Sequence, residues 1–437
     1  MRRLSFALLF LAGLAGAPSP LQAQSRHADV PRLSDRARVS LLTILPGDGA
    51  ADAFGHSALR VRDPARALDR TYNYGTYDFR DPYFILKFTY GQLTYLLSTS
   101  SFDRLLRKYR YLGRPVIEQR LRLTPAQEQR LFAFLEWNAR PANRAYRYDF
   151  LFDNCATRIR DALRDALADS LRFGLEALPR RTFRHHLDRF VAGMAPLDFG
   201  FDLALGLPTD QVAAPKEVMF LPEYLMEGFA GATVKTNARR GAGAWQPLVA
   251  RTDTLFWVEG AQFPARPAFP WIAVGMWGLF AALLSATAWR WQQGRAPMRG
   301  VDVLLFGTVG AASVVIWFLA FLSEHVVTRY NLNVAWALPT HLALAGALLL
   351  KRGLRGRLAR GYLRVSAAAA GLLALGWPLW PQDLHAAAFP FVAMIALRGA
   401  RRGEVAALFR ATPSPARRLS TRSDGAAPAR PERAEAG

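Results

Sequence analysis

Tyr148-Asp149-Phe150-Leu151-Phe152-Asp153-Asn154-Cys155-Ala156-Thr157-Arg158-Ile159-Arg160-Asp161 holds the only cysteine among 437 residues. Ile159, Ala162, Leu163, Ala166 and Leu167 recur at helical spacing, with Arg158, Arg160, Arg164 and Asp165 between them, so an amphipathic helix is expected. Asp153 is the expected N-cap. Cys155 then falls in the first turn, on the packed face. A helix N-terminus offers unpaired N–H groups and the positive end of its dipole, which lower a thiol pKa and can hold an oxyanion. One cysteine forms no internal disulfide. The bland role for such a residue is a small buried hydrophobe, but this setting favours a nucleophile.

A nucleophilic cysteine needs a base. Working upstream, Val39–Leu45 is a β-branched and aliphatic strand closed by a turn at Pro46-Gly47-Asp48-Gly49. Phe54-Gly55-His56-Ser57-Ala58-Leu59-Arg60-Val61 reads as a second strand, with His56 near its start on the face opposite Leu59. Thr71–Phe79 reads as a third, aromatic strand, and places Asn73 or Asp78 where either could orient His56. Ile85–Leu97 suggests a strand pair around Gly91, and Val116–Leu123 another strand. Thr124-Pro125-Ala126-Gln127 carries a capping-box signature for a helix running to about Trp137. Of seven histidines, His27 is near the N-terminus, and His185-His186 sit in a basic helical stretch read as solvated. His325, His341 and His385 lie in or beside apolar runs. His56 is therefore the chosen base. The scattered His and single Cys match no metal-site spacing, so neither metal nor cofactor is expected.

The ends set the address. Arg2-Arg3, the apolar run Leu4–Gly16 and Leu21-Gln22-Ala23 form a secretory signal, residues 1–23. Ala268–Trp289, Val303–Leu322 and Leu332–Leu350 are long enough to span a bilayer. Val365–Trp380 and Leu384–Leu397 are shorter and complete about five spans. Net charge is +22, but well over half of it lies in residues 290–300, residues 351–364 and the tail from Arg398. Basic loops alternating with apolar runs follow the positive-inside rule and exclude a nucleic-acid footprint. The expected localisation is the inner (cytoplasmic) membrane, with the N-terminal domain in the periplasm and a disordered basic tail, residues 399–437, in the cytoplasm.

The stretches around His56, Tyr72–Phe79, Asp149–Asp161 and Met219–Leu225 resemble the Lnb family of lipoprotein N-acyltransferases. The resemblance covers residues 35–235 and extends into the membrane half, where Glu324-His325 and Asn331-Leu332-Asn333 are similar to a periplasmic loop of that family. His before Cys, with Asn immediately preceding Cys, is also similar to circularly permuted papain-like enzymes such as lecithin:retinol acyltransferase. The resemblance implies an α+β periplasmic domain with a permuted papain-like antiparallel sheet and catalytic helix, followed by an all-α transmembrane domain of about five helices over 268–398. Residues 236–267 would be a linker. It implies that His56 deprotonates Cys155, that Asn73, Asp78 or Asn154 orients or supports the oxyanion, and that His325, Asn331 and Asn333 contribute from the loop. A phospholipid would donate the acyl chain and a diacylated lipoprotein would accept it. Two other readings remain open: a Cys–His hydrolase acting on peptidoglycan, and a non-enzymatic envelope assembly module.

Overall fold

The computed structural model describes residues 30–77, 81–236, 244–259, 269–350 and 357–402. The expected signal peptide, Asp78 and the tail from residue 403 lie outside them. Strands β1 (Arg38–Ile44), β2 (His56–Asp63), β3 (Leu68–Thr76), β4 (Thr94–Ser101), β5 (Val116–Leu121), β6 (Ala145–Arg147) and β7 (Val249–Phe256) form one antiparallel sheet in the order β7-β5-β1-β2-β3-β4-β6. Ile44 pairs with His56 and Arg38 with Arg62, so β1 and β2 are a long hairpin at its centre. The β7 strand falls in the stretch expected to be a linker. Its pairing with β5, for example Thr252 opposite Gln119, makes it an edge of the sheet instead.

Side-chain alternation along these strands produces two apolar faces. Val39, Leu41, Leu59, Val61, Tyr72 and Tyr74 point to one face. There they meet α3 (Pro125–Asn138) and α4 (Cys155–Leu167), reached after α1 (Phe84–Tyr90) and α2 (Phe102–Tyr111). Leu42, Ile44 and Ala58 point to the other face and pack with Phe102, Leu105 and Tyr109 of α2. The α3 cap is as expected: Gln127 N donates to Thr124 Oγ1 at 3.3 Å, and Thr124 N donates to Gln127 Oε1 at 2.9 Å. Gly91 corrects the expected strand pair. At φ 76° it caps a helix, α1, and only the residues from Thr94 onward are strand.

Helix α4 begins at Cys155, but its cap is Asn154 rather than Asp153. Asn154 Oδ1 accepts from Ala156 N at 2.9 Å and Thr157 N at 3.1 Å, and Thr157 Oγ1 accepts from Asn154 N at 2.8 Å. Asp153 instead forms an ion pair with Arg158. The Asn154 amide nitrogen donates to Phe150 O at 2.8 Å and Phe220 O at 2.9 Å. Phe220 precedes α7 (Pro222–Ala230), which follows α5 (Phe183–Val191) and α6 (Ala195–Ala204) and packs on both α4 and β1.

The C-terminal half has five helical segments among the described residues: α8 (Trp271–Gln292), α9 (Arg299–Trp317), α10 (Thr340–Leu349), α11 (Arg357–Leu375) and α12 (Ala388–Arg402). Three are long and apolar enough to cross a membrane: Trp271–Gln292, Arg299–Leu322 and Leu358–Leu375. The expected third span is shorter as a helix, because Leu332–Ala335 is a 3-10 turn and regular helix starts only at Thr340. The two halves are held by buried polar groups. Asn331 Nδ2 donates to Leu203 O at 2.8 Å, Asn333 Nδ2 to Asp202 O at 3.0 Å, and Gln382 Nε2 to Leu205 O at 3.0 Å. Beneath them Arg184 pairs with Asp202 and Asp210, and Asp210 accepts from Asp383 N at 3.1 Å. Unmade bonds in such a buried set are costly, so the junction is specific.

A methyl group tests that junction. A Cβ at Gly206 would lie 2.0 Å from Arg329 O across it, whereas one at Gly200, inside α6, meets nothing within 4 Å. Gly206→Ala should lower the melting temperature of the full chain in detergent by several degrees, and Gly200→Ala should leave it unchanged or raise it. Equal melting temperatures for the two variants would contradict this packing.

Candidate active site

The site forms where the start of β2, the end of β3 and the head of α4 converge. Gly55, at φ 75°, turns the chain into β2 with its backbone against Ile44 O, and so sets the position of His56. On β3 the register with β4 shifts between Asn73 and Thr76, a bulge centred on Tyr74 and Gly75. Gly75 has φ 90°, and a Cβ there would sit 3.8 Å from Cys155 Cβ and 4.0 Å from the Tyr146 hydroxyl. The missing side chain therefore leaves a gap in the sheet beside the cysteine.

Cys155 is the first residue of α4 and is partly buried. Its thiol pKa is raised above the ordinary value, chiefly by burial. Backbone N–H groups of Ser57, Ala156 and Cys155, together with the Arg114 charge, act in the opposite direction without reversing it. The expectation of a lowered pKa is thus corrected: desolvation outweighs the helix terminus. The Ala156 N–H is already donated to Asn154 Oδ1 at 2.9 Å, so the Ser57 and Cys155 N–H groups are the ones left to favour negative charge at the sulfur.

His56 is shifted the other way for a base. Its pKa is lowered to about 4, first by burial and then by the charges of Arg114 and Lys108, while a hydrogen bond with Asn73 opposes the fall. The imidazole is therefore neutral near pH 7 and able to take a proton. Asn73 also donates to Thr71 Oγ1 at 3.3 Å, which ties its side chain to the strand. Thiol and imidazole are thus both shifted toward their uncharged forms near pH 7.

His56, Asn73, Gly75 and Tyr77 line a cleft of about 570 Å³, closed on the α2 side by Arg104, Lys108 and Tyr109, with Arg114 at its base. Arg114 is buried: Nε donates to Leu45 O at 3.0 Å, Nη1 pairs with Asp52, and Nη2 has no partner among the described residues. Asp52 also lines the cleft and balances Arg114, so the cationic charge of the wall comes from Arg104 and Lys108.

Among the expected site residues, Asn73 is at His56, and Asp78 lies outside the described residues. Asn154 is beside Cys155, but its oxygen and amide nitrogen are occupied in capping α4 and binding two carbonyls, so its side chain is spent on positioning the start of the helix. His325, Asn331 and Asn333 are not in the cleft. His325 Nε2 bonds Phe88 O at 2.8 Å, and the two asparagines hold the junction described above. His186, expected to be solvated, is buried against Tyr224, with Nδ1 3.2 Å from its hydroxyl.

Sequence reasoning missed Tyr146. Its hydroxyl is buried beside Gly75 and Cys155 and donates to no acceptor among the described residues. Burial, and the Cys155 charge next, push its pKa up, so it stays a donor. Nothing in Arg144-Ala145-Tyr146-Arg147 alone marks it; it reaches the site only through the β4–β6 pairing, Tyr95 opposite Tyr146.

Comparison with known proteins agrees with this two-part architecture. The Lnb N-terminal periplasmic domain matches residues 32–189, and the Lnb transmembrane domain matches residues 268–403. The chain belongs to the Lnb family. No curated protein and no solved structure matches it. As an Lnb family member it is a membrane protein with a periplasmic domain, and both His56 and Cys155 fall within the matched part of that domain. The match to the periplasmic Lnb domain ends inside α5, so α7 and β7, which complete the packing around α4 and the sheet, lie beyond it.

The raised thiol pKa has a measurable consequence. A thiol with a raised pKa exposes more thiolate as pH rises, up to and beyond the ordinary thiol range. The rate of Cys155 alkylation by iodoacetamide should therefore climb through pH 9 without an earlier plateau. A plateau reached below pH 7 would mean a preformed thiolate–imidazolium pair and contradict the account.

Proposed function

We propose that this chain is a membrane-bound, thiol-dependent acyltransferase that moves an acyl chain from a membrane lipid to the N-terminal amine of a diacylated lipoprotein. The observation that carries the reading is the placement of Cys155 as the first residue of α4, beside the side-chain-free Gly75 and the buried Tyr146 hydroxyl. His56 takes the thiol proton as sulfur attacks the ester carbonyl of a phospholipid. The Ser57 and Cys155 N–H groups and the Tyr146 hydroxyl receive the oxyanion. Collapse breaks the ester C–O bond, and His56 returns the proton to the departing alkoxide, leaving a lysolipid and an acyl thioester on Cys155. The lipoprotein α-amine then attacks the thioester. His56 takes a proton from the amine and passes it to the departing thiolate, yielding an amide and the free enzyme.

Arg104 and Lys108 suit an anionic phosphodiester near the reacting ester. We read the cysteine at a helix head against a histidine-bearing antiparallel sheet as a permuted papain-like arrangement. We take α8 to α12 as five passes, the shorter α10 and α12 completing the bundle, with the arginine-rich tail in the cytoplasm and the chain in the inner membrane. Anchoring favours transfer between lipids, since donor and acceptor are confined to the same plane.

Intact-mass measurement after incubation with phospholipid checks the first half-reaction. The wild type should gain one acyl mass that hydroxylamine removes, and Cys155→Ala should gain none. Tyr146→Phe should form the adduct about 10²-fold more slowly, the loss typical of one oxyanion donor. An adduct that persists in Cys155→Ala would remove the thiol from the mechanism.

A further inference from the structure

Helix α1 buries none of its residues. Tyr83 just before it is 63 % exposed, Ile85 73 %, Leu86 55 % and Phe88 51 %. A contiguous apolar surface of this kind marks an interaction site. The only charged side chain in α1, Lys87, is 2.6 Å from Asp81.

What lies beside α1 identifies its environment. Glu324 N donates to Tyr90 O at 2.8 Å, His325 Nε2 bonds Phe88 O at 2.8 Å, and the Tyr90 ring meets Phe318 edge-on at 4.8 Å. These contacts fix α1 to the periplasmic-domain end of the Arg299–Leu322 helix, one of those long and apolar enough to cross a membrane. At that end Phe321 and Leu322 are themselves 61 % and 66 % exposed, so the two apolar surfaces lie together. Lipid is the surrounding that suits an apolar surface held at the mouth of such a helix.

From α1 a file of rings leads inward. Phe88 lies 6.3 Å from Phe84, Phe84 stacks on Tyr77 at 5.2 Å, Tyr77 meets Tyr95 at 5.4 Å, and Tyr95 lies 6.5 Å from Tyr146, beside Cys155. Tyr77 also lines the cleft. We propose that α1 is seated in the outer leaflet, that phospholipid covers Ile85, Leu86 and Phe88, and that the ring file guides an acyl chain from that lipid to Cys155. The first part stands on the α1 surface and its anchor. The guiding role rests on the acyltransferase reading above.

Two measurements on the full chain in phospholipid nanodiscs separate these parts. A nitroxide on Ile85→Cys, in a Cys155→Ser background, should be several-fold more accessible to oxygen than to a water-soluble nickel chelate. Accessibility favouring the chelate would overturn the seating of α1. In the otherwise native chain, replacing Ile85, Leu86 and Phe88 together by Ser should slow Cys155 acylation by bilayer phospholipid at least 10-fold, and leave acylation by a short water-soluble ester unchanged. Equal slowing with both esters, or none with either, would overturn the guiding role. If the native chain is acylated by neither ester, the acyltransferase reading fails, while the nitroxide result still decides where α1 sits.

Discussion

The side chain of Asn154 is the interaction on which the site depends. Its oxygen caps α4, and its amide joins the loop at Phe150 to the segment at Phe220. The local loop, the helix start and the segment at Phe220, distant in sequence, are thereby fixed around one residue, and the next residue is Cys155. Because the cap sets where the helix begins, it also sets which N–H groups remain to face the sulfur. Ile159, Ala162 and Leu163 then press the helix on to the sheet, so Cys155 is carried by a rigid element.

Around that fixed point the electrostatics are set by burial more than by charge. Desolvation raises the Cys155 thiol and lowers the His56 imidazole. Arg114 acts on both, favouring the thiolate and the neutral imidazole. A thiol kept protonated is also less open to oxidation than a thiolate. The absent side chain at Gly75 complements this arrangement. It leaves space at the sulfur where a carbonyl could enter, next to the Tyr146 hydroxyl.

Much of this was legible in sequence where the signal is local. The Thr124–Gln127 capping box, the amphipathic run after Cys155 and the strand start at His56 all depend on residues a few positions apart. The errors have local causes too. Asp153 and Asn154 are both good caps, and the choice between them is made by Thr157 and the Phe220 carbonyl. Aromatic residues 84–90 favour a strand by propensity, yet Gly91 and the contact with residues 318–325 make them a helix. Long-range partners were not legible. The β7 strand looks like a linker until Gln119 is placed opposite Thr252, and Tyr146 has no distinguishing neighbourhood until β6 meets β4. His325, Asn331 and Asn333 stood out in the resemblance, but the structure spends them on holding two domains together.

The central claim is that acyl chains pass through Cys155 to an amine, and the second half-reaction tests it most directly. Acyl-enzyme prepared with labelled phospholipid would be mixed with a diacylated lipopeptide bearing a free α-amine, with the same lipopeptide N-acetylated, or with buffer. The label should leave Cys155 rapidly only with the free amine and appear as an amide on the lipopeptide. Release at one rate in all three mixtures, as free fatty acid, would make the protein a hydrolase and contradict the account.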